Sequence, residues 1–228
     1  MANLTTLTGS ATFDFLHRIF PPKGKAIMSD EIPLFPLDLV LLPTCRVPLH
    51  IFEERYRLMV NTCVEDGTEF GMVWGQDDNH KEIGCSARVV DIVDRFPDGR
   101  LNSIIQGTER FRLIDKHHNA PYITGIVETL QDVGEEPDSD LVKRAKQLYS
   151  DALRFTIGWH RPNDAEPVDD RAQPYTVAAG LGLPLEQQQN LLEMLNVNDR
   201  LTEMINLLEG NIAKLQDDHR KTSGNGKA

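Results

Sequence analysis

The chain has 228 residues, carries 24 Lys plus Arg against 35 Asp plus Glu for a net charge of −11, and is 40% hydrophobic. That apolar share is enough to close a core, while the acid excess disfavours nucleic acid, whose affinity rests on neutralising phosphates. No run approaches the roughly 18 to 20 apolar residues that span a bilayer. Cys45, Cys63 and Cys85 form no C-x-x-C pair and cannot all be paired, so a reducing, cytoplasmic compartment fits.

Residues 1–29 are expected to form a disordered extension. The stretch from Met1 to Ile27 lacks the apolar segment of a secretory signal and holds a single acid, Asp14. Two other readings stand beside it: an over-long start with Met28 as the initiator, and a weak organellar transit peptide.

From residue 30 to 132 the pattern is of short β-branched or aromatic runs divided by Gly, Pro and Asp-Gly, which predicts a β subdomain. Leu39 to Leu42 and Val47 to Phe52 read as strands around a Pro43-Thr44 turn. Between Glu53 and Glu65, Tyr56, Met59, Val60 and Cys63 recur at helical spacing, so one helix interrupts the sheet. Phe70 to Trp74 and Ile83 to Phe96 resume it. Pro97-Asp98-Gly99 predicts a hairpin, because Gly99 accepts positive φ and Asp98 can bond the local backbone. Leu101 to Gln106 should then pair back, Gly107-Thr108 should reverse the chain into Arg110 to Ile114, and Tyr122 to Leu130 should add a last strand. The expectation is an antiparallel meander closed into a partial barrel or sandwich.

Five acids between Asp132 and Asp140, with Gly134 and Pro137, predict a linker. Beyond it a helical subdomain is expected over residues 133–216, with a flexible tail at 217–228. Its helices are Leu141 to Ile157, Pro174 to Leu181, one opened by Pro184, and a fourth capped by Asn198 with Leu201, Ile205, Leu208, Ile212 and Leu215 on one stripe. His160 to Gln173 reads as a loop.

Signs of chemistry are sparse. Gly24-Lys25 and Gly226-Lys227 lack the spacing of a phosphate loop, and Gly180-Leu181-Gly182 precedes a proline-started helix instead of following a strand, so no cofactor is expected. No G-x-S-x-G or H-E-x-x-H motif occurs. Cys85 beside Ser86 reads as strand packing. Cys45 with His50, and His117 with His118, hold metal-ligating atoms without a spacing that closes four ligands, so no metal is expected. Glu53 and Glu54 diverge by about 100° on a helix and suit its dipole better than acid–base work. Arg110, Arg112, Lys116, His117 and His118 form the only basic stretch, which reads as a solvated strand face or, alternatively, an anion or RNA contact. Trp74 and Trp159 are the candidates for partner contact, since aromatics anchor interfaces, with core packing the competing reading.

The motifs together resemble a known family. Ile32-Pro33-Leu34-Phe35-Pro36-Leu37, Leu42-Pro43 and Pro48-Leu49-His50-Ile51-Phe52-Glu53-Glu54-Arg55-Tyr56 are similar to the opening signature of the Lon protease amino-terminal domain. The similarity runs on through Ile83-Gly84, Pro97-Asp98-Gly99, Gly107-Thr108-Glu109-Arg110-Phe111, Leu183-Pro184-Leu185-Glu186, Leu191-Leu192-Glu193 and Asp199-Arg200-Leu201, covering roughly residues 30 to 210.

The resemblance implies an α+β fold: a PUA-like antiparallel β pseudo-barrel with one inserted helix, followed by a carboxy-terminal helical bundle. It also implies recognition of polypeptides, either unfolded clients or a protease or chaperone partner, as an adaptor in proteolysis. The ATPase and Ser-Lys peptidase motifs are not in this sequence, so no enzyme activity is expected. Pro36, Pro43 and Pro48 should fix φ at strand ends. Phe52 and Tyr56 should share a helix face toward the sheet, and Glu53, Arg55, Gly99, Gly107, Arg110 and Phe111 should serve structure. RNA binding on the PUA-like sheet is the alternative.

Overall fold

The computed structural model describes residues 30–118, 120–156 and 169–224. The expectations for the amino-terminal extension, for Trp159 and for most of the loop after Thr156 lie outside the described residues. Among the described residues seven strands form, in chain order β1 (Asp30–Leu37), β2 (Arg46–Ile51), β3 (Phe70–Gln76), β4 (Asn79–His80), β5 (Ile83–Arg95), β6 (Leu101–His117) and β7 (Thr124–Leu130). Helix α1 (Glu54–Asp66) lies between β2 and β3. Helices α2 (Ser139–Thr156), α3 (Gln173–Gly180), α4 (Leu185–Glu193) and α5 (Val197–Gly224) follow β7. The architecture is α+β.

The sheet closes. Its order is β1-β7-β6-β5-β3, and β3 pairs back with β1, while β2 adds to β6 and β4 to β3. The β1–β3 pairing is parallel, from Leu34 opposite Gly71 to Leu37 opposite Trp74. This parallel pair departs from the expected antiparallel meander, and α1 lies in the crossover that such a pair requires. The barrel interior is filled by Leu34, Val73, Phe111, Ile123 and Val127. Phe111 lies so close to two strand backbones that a Cβ at Gly71 or Gly84 would approach its ring to 2.7 and 2.6 Å.

Three local expectations are corrected. Leu39 to Leu42 is not a strand: Val40, Leu41 and Leu42 are buried in irregular backbone that ends at Thr44 with φ of 66°. The strand instead precedes it as β1. Nor does the chain reverse at Gly107, because β6 runs unbroken from Leu101 to His117. Gly107 is needed for close approach, since a Cβ there would collide with the Leu42 carbonyl oxygen, and its N–H donates to Cys45 O at 3.0 Å. Finally, Asn196 caps α5 in place of Asn198: its Oδ1 accepts from the amides of Asn198 at 2.9 Å and Asp199 at 3.3 Å. Asn198 instead ties the linker down, accepting from Asp138 N and donating to Glu136 O.

The hairpin follows its turn chemistry. Gly99 has φ of 85°, its N–H donates to Phe96 O, and the Asp98 carboxylate accepts from Arg100 N and Nε. Helix α1 buries Tyr56, Met59, Val60 and Cys63 on one stripe, with Tyr56 stacked on Phe35 at 4.2 Å. The same core continues without interruption into Leu148, Tyr175, Val177, Leu191, Leu192 and Met204 of the helices. Sheet and helices are thus joined by one apolar layer as well as by the polar junction described next.

Candidate functional site

The motifs singled out in the sequence meet where the sheet touches the helices. Pro43 bridges Gly107, which brings the loop before β2 against the middle of β6. Three residues along β6, Arg110 reaches across to the helices. Its guanidinium donates to the carbonyls of Leu192 at 3.1 Å and Met194 at 2.7 Å, and to Asp132 Oδ1. From the other side Arg200 of α5 grips the same carboxylate with both terminal nitrogens, at 2.9 and 3.0 Å, and also donates to Met194 O and Arg171 O. Arg110 is 5% exposed and Arg200 is fully buried. The expectation that Arg110 lies on a solvated strand face is therefore corrected: the helices cover that face.

Asp132 thus holds two guanidiniums, with the Arg171 guanidinium 3.8 Å away and itself paired with Glu136 at 2.7 Å. Burial would raise the Asp132 carboxyl, but the Arg200 hydrogen bond and the charges of Arg200, Arg110 and Arg171 outweigh it and hold the group below its ordinary range. Tyr175 of α3 closes the cluster. Its ring lies 4.6 Å from the Arg200 guanidinium carbon and 6.0 Å from that of Arg110. Burial pushes its phenol up to about 12 against the opposing pull of the two arginines, so it stays protonated. A cleft of about 320 Å³ opens onto this cluster, walled by Pro43, Thr108, Arg110, Arg171, Tyr175 and Arg200.

A second region is built from the opposite kind of surface. On β2, Arg46, Pro48 and His50 point outward, and with Asn102, Ile104 and Gln106 of β6 and the outer part of β5 they form a face that no helix among the described residues covers. Two bulges in β5 skip Val90 and Val93 in its pairing with β6, leaving them 38% and 56% exposed. Phe52, immediately before α1, is 60% exposed. It does not share the helix's buried face with Tyr56, as the sequence pattern suggested, because the helix begins only at Glu54. Instead it stacks near His50, which meets Phe96 edge-on at 6.0 Å, while Arg100 covers the Phe96 ring at 5.2 Å.

The remaining sequence candidates fall elsewhere. Arg55 pairs with Glu53 at 3.0 Å and Asp77 at 3.1 Å and lies 4.5 Å from the Tyr56 ring, which braces the start of α1. Trp74 is half-buried, donating its indole N–H to Asp38 at 2.9 Å with Lys81 over the ring. Pro36 lies near the end of β1 and Pro48 inside β2 instead of at a strand end, and of the three prolines Pro43 alone lines the arginine cluster. Cys45 and Cys85 are pushed up by burial, Cys45 to about 11. Among the described residues no group of three or more His, Cys, Asp or Glu is placed to hold a metal ion, and no helix is long and apolar enough to cross a membrane.

Sequence reasoning placed Asp132 in a linker and missed Arg171 and Tyr175. One signal was available for Arg200: it sits between Val197, Leu201 and Met204, inside the apolar stripe of α5, where an unpaired charge could not stay.

The described residues thus form a closed PUA-like barrel with a helical layer docked on it through buried arginines. Comparison with known proteins agrees. The ATP-dependent protease La (LON) substrate-binding domain family matches residues 31–210, and the chain belongs to that family. Lon protease 1 of Hydrogenovibrio crunogenus is 26% identical over 200 residues, covering 82% of this chain and 24% of its own. The Escherichia coli K12 Lon protease is 24% identical over 204 residues, covering 83% and 26%. The chain therefore spans about a quarter of the length of these relatives, and the match lies in the substrate-binding domain, not in protease or ATPase domains.

Among solved structures, the Lon N-terminal domain protein from Xanthomonas campestris superposes with a TM-score of 0.57 at 27% identity, over 77% of this chain and 97% of that one. The N-terminal domain of Mycobacterium avium complex Lon protease shares the fold, with a TM-score of 0.62 at 16% identity over 79% and 98%.

Proposed function

We propose that this chain is a non-catalytic recognition module that binds unfolded or partner polypeptides, serving as an adaptor in proteolysis in the cytoplasm. The observation that carries the reading is the exposed Phe52 beside His50 and Phe96, on a sheet face that no helix among the described residues covers. An aromatic held in water at low conformational cost is a ready anchor for a partner's apolar side chain. The bulges at Val90 and Val93 in the β5–β6 ladder leave both side chains exposed, which favours recognition through side chains. Family membership supports the polypeptide as ligand, and the free thiols of Cys45, Cys63 and Cys85 suit a reducing compartment.

Catalysis has no support in the thiols, since burial keeps Cys45 and Cys85 in the protonated, non-nucleophilic form. The RNA alternative loses two of its three motivating residues, since Arg110 is consumed by Asp132 and Lys116 pairs with Asp78 at 2.9 Å, which leaves the exposed Arg112. A permanently unfolded, carboxymethylated test protein immobilised on a surface provides the assay. Saturable retention that Phe52→Ser weakens about tenfold is expected from losing one buried aromatic anchor. Absence of retention across several unfolded test proteins would refute the reading.

A further inference from the structure

We propose that His50 is a fixed hydrogen-bond acceptor on the open sheet face, that Asn102 and Asp94 position it, and that it takes an N–H group of the polypeptide bound beside Phe52. The inference rests on the recognition function proposed above and names one contact within it. His50 of β2, Asn102 of β6 and Asp94 of β5 stand opposite one another across three neighbouring strands. Directly paired residues project to the same side of a sheet, so the three side chains form one row. His50 Nδ1 lies 2.7 Å from Asn102 Oδ1, and Asn102 Nδ2 donates to Asp94 Oδ2 at 2.9 Å.

The carboxylate end of the row sets the direction of every bond in it. A carboxylate only accepts, so Asp94 must face the amide nitrogen of Asn102, and the amide oxygen is thereby turned to the imidazole. That oxygen also only accepts, so His50 carries its proton on Nδ1. In the neutral ring this leaves a lone pair on Nε2. A surface histidine without such a row exchanges between its two tautomers and offers a donor or an acceptor; here the acceptor is fixed.

The protein makes no use of that lone pair. Among the described residues His50 has no second hydrogen bond and no ion pair. The ring is exposed and its neighbours are apolar: Phe52 is stacked at 6.1 Å, Phe96 stands edge-on at 6.0 Å, and the bulge leaves Val93 outside. A single aimed polar group among apolar ones orients a ligand that hydrophobic burial holds. The ligand therefore brings an N–H beside an apolar side chain. Every residue of an unfolded polypeptide except proline carries the first in its backbone, and amide or amine side chains add more. A carboxylate or phosphate ion has no proton to give to Nε2 and would meet the Asp94 charge behind the ring. Arg95 and Arg100, the cations closest in the chain to the row, are turned to Asn61 and Asp98.

Ring-nitrogen NMR of the full chain at about pH 8.5, above the range in which imidazoles titrate, reads the tautomer directly. The Nδ1–H form is expected for His50, and Asp94→Ala should return the ring to a mixture of both forms. An Nε2–H ring in the unaltered protein overturns the proposal, and that readout survives if a variant fails to fold.

The contact itself is read by calorimetry with a capped peptide of alternating leucine and serine around one phenylalanine, and with versions methylated at one backbone nitrogen at a time. One methylation should weaken binding to the unaltered protein about fivefold, the loss of one hydrogen bond, and have no effect on His50→Phe, which keeps a ring beside Phe52 and lacks the acceptor. Asp94→Ala, acting only through the ring, should cost about twofold as the acceptor form becomes one of two. Glutamine in place of one serine tests the side-chain source: a gain of about fivefold that requires His50 assigns the N–H to a side chain. Binding that Phe52→Ser weakens while neither series responds to His50 overturns this contact and spares the sheet face. Failure of every peptide to bind overturns both.

Discussion

The junction and the outer sheet face are made from the wrong-looking residues for their places. At the junction, where the sheet meets the helices, Arg110 and Arg200 are buried, whereas on the open face Phe52, Val90 and Val93 stand in water. Hydrophobic burial alone would have exchanged them. A buried charge tolerates one docking geometry, because each guanidinium must find Asp132 and the Met194 carbonyl at once. Apolar groups left outside have no such constraint, and their free energy remains available to a partner. The contrast separates residues that fix how the layers dock from residues free to bind.

The largest blow to this contrast is Asp132→Ala. It strands two buried guanidiniums and is expected to cost about 3–5 kcal/mol in chemical denaturation. A cost under about 1 kcal/mol would mean that water already reaches the junction. Gly107→Ala should follow at about 1–3 kcal/mol, because the added methyl meets the Leu42 carbonyl oxygen and the loop carrying Pro43 must move.

The acid limb sharpens the same point. The Asp132 carboxyl is held below its unfolded value, so its contribution is full above about pH 4, where the unfolded side chain is ionised, and is lost as pH falls through the lower folded value. Urea midpoints measured between pH 5 and pH 2 should fall, and Asp132→Asn should flatten that part of the curve. The smallest effect on stability belongs to the open face. Phe52→Ser should change unfolding by no more than about 0.5 kcal/mol while client retention drops, and a larger loss would show that Phe52 is a packing residue after all.

The sequence was most legible where a structure depends on near neighbours. Asp98 and Gly99 form their hairpin from local hydrogen bonds and one positive φ, and Tyr56, Met59, Val60 and Cys63 define α1 by spacing. Gly107 looked like a turn because its requirement comes from a segment far away in the chain, the Leu42 carbonyl that passes over it. Arg110 and Arg112 alternate with Phe111 and Leu113 as an outward row should, yet the helices return to cover Arg110 and leave Arg112 outside. Alternation reports which side of a strand a residue takes and is silent on what later packs there. Asn196 and Asn198 are equally good caps by type, and only the chain path distinguishes them. For the candidate site, the motif residues Pro43, Arg110 and Arg200 were named individually, but their convergence on Asp132 and Tyr175 is tertiary.

The way the barrel closes sets a schedule for its birth. Strand β1 is made first, but its antiparallel neighbour is β7, with Asp30 opposite Val127 and Leu34 N–H donating to Ile123 O. Its other edge waits for β3 and the α1 crossover. Such long-range pairings form slowly. During synthesis the Leu34–Phe35 segment therefore emerges with both sides unpaired: its β3 side can be covered once the chain has passed Trp74, while its β7 side waits until the chain has passed Leu130.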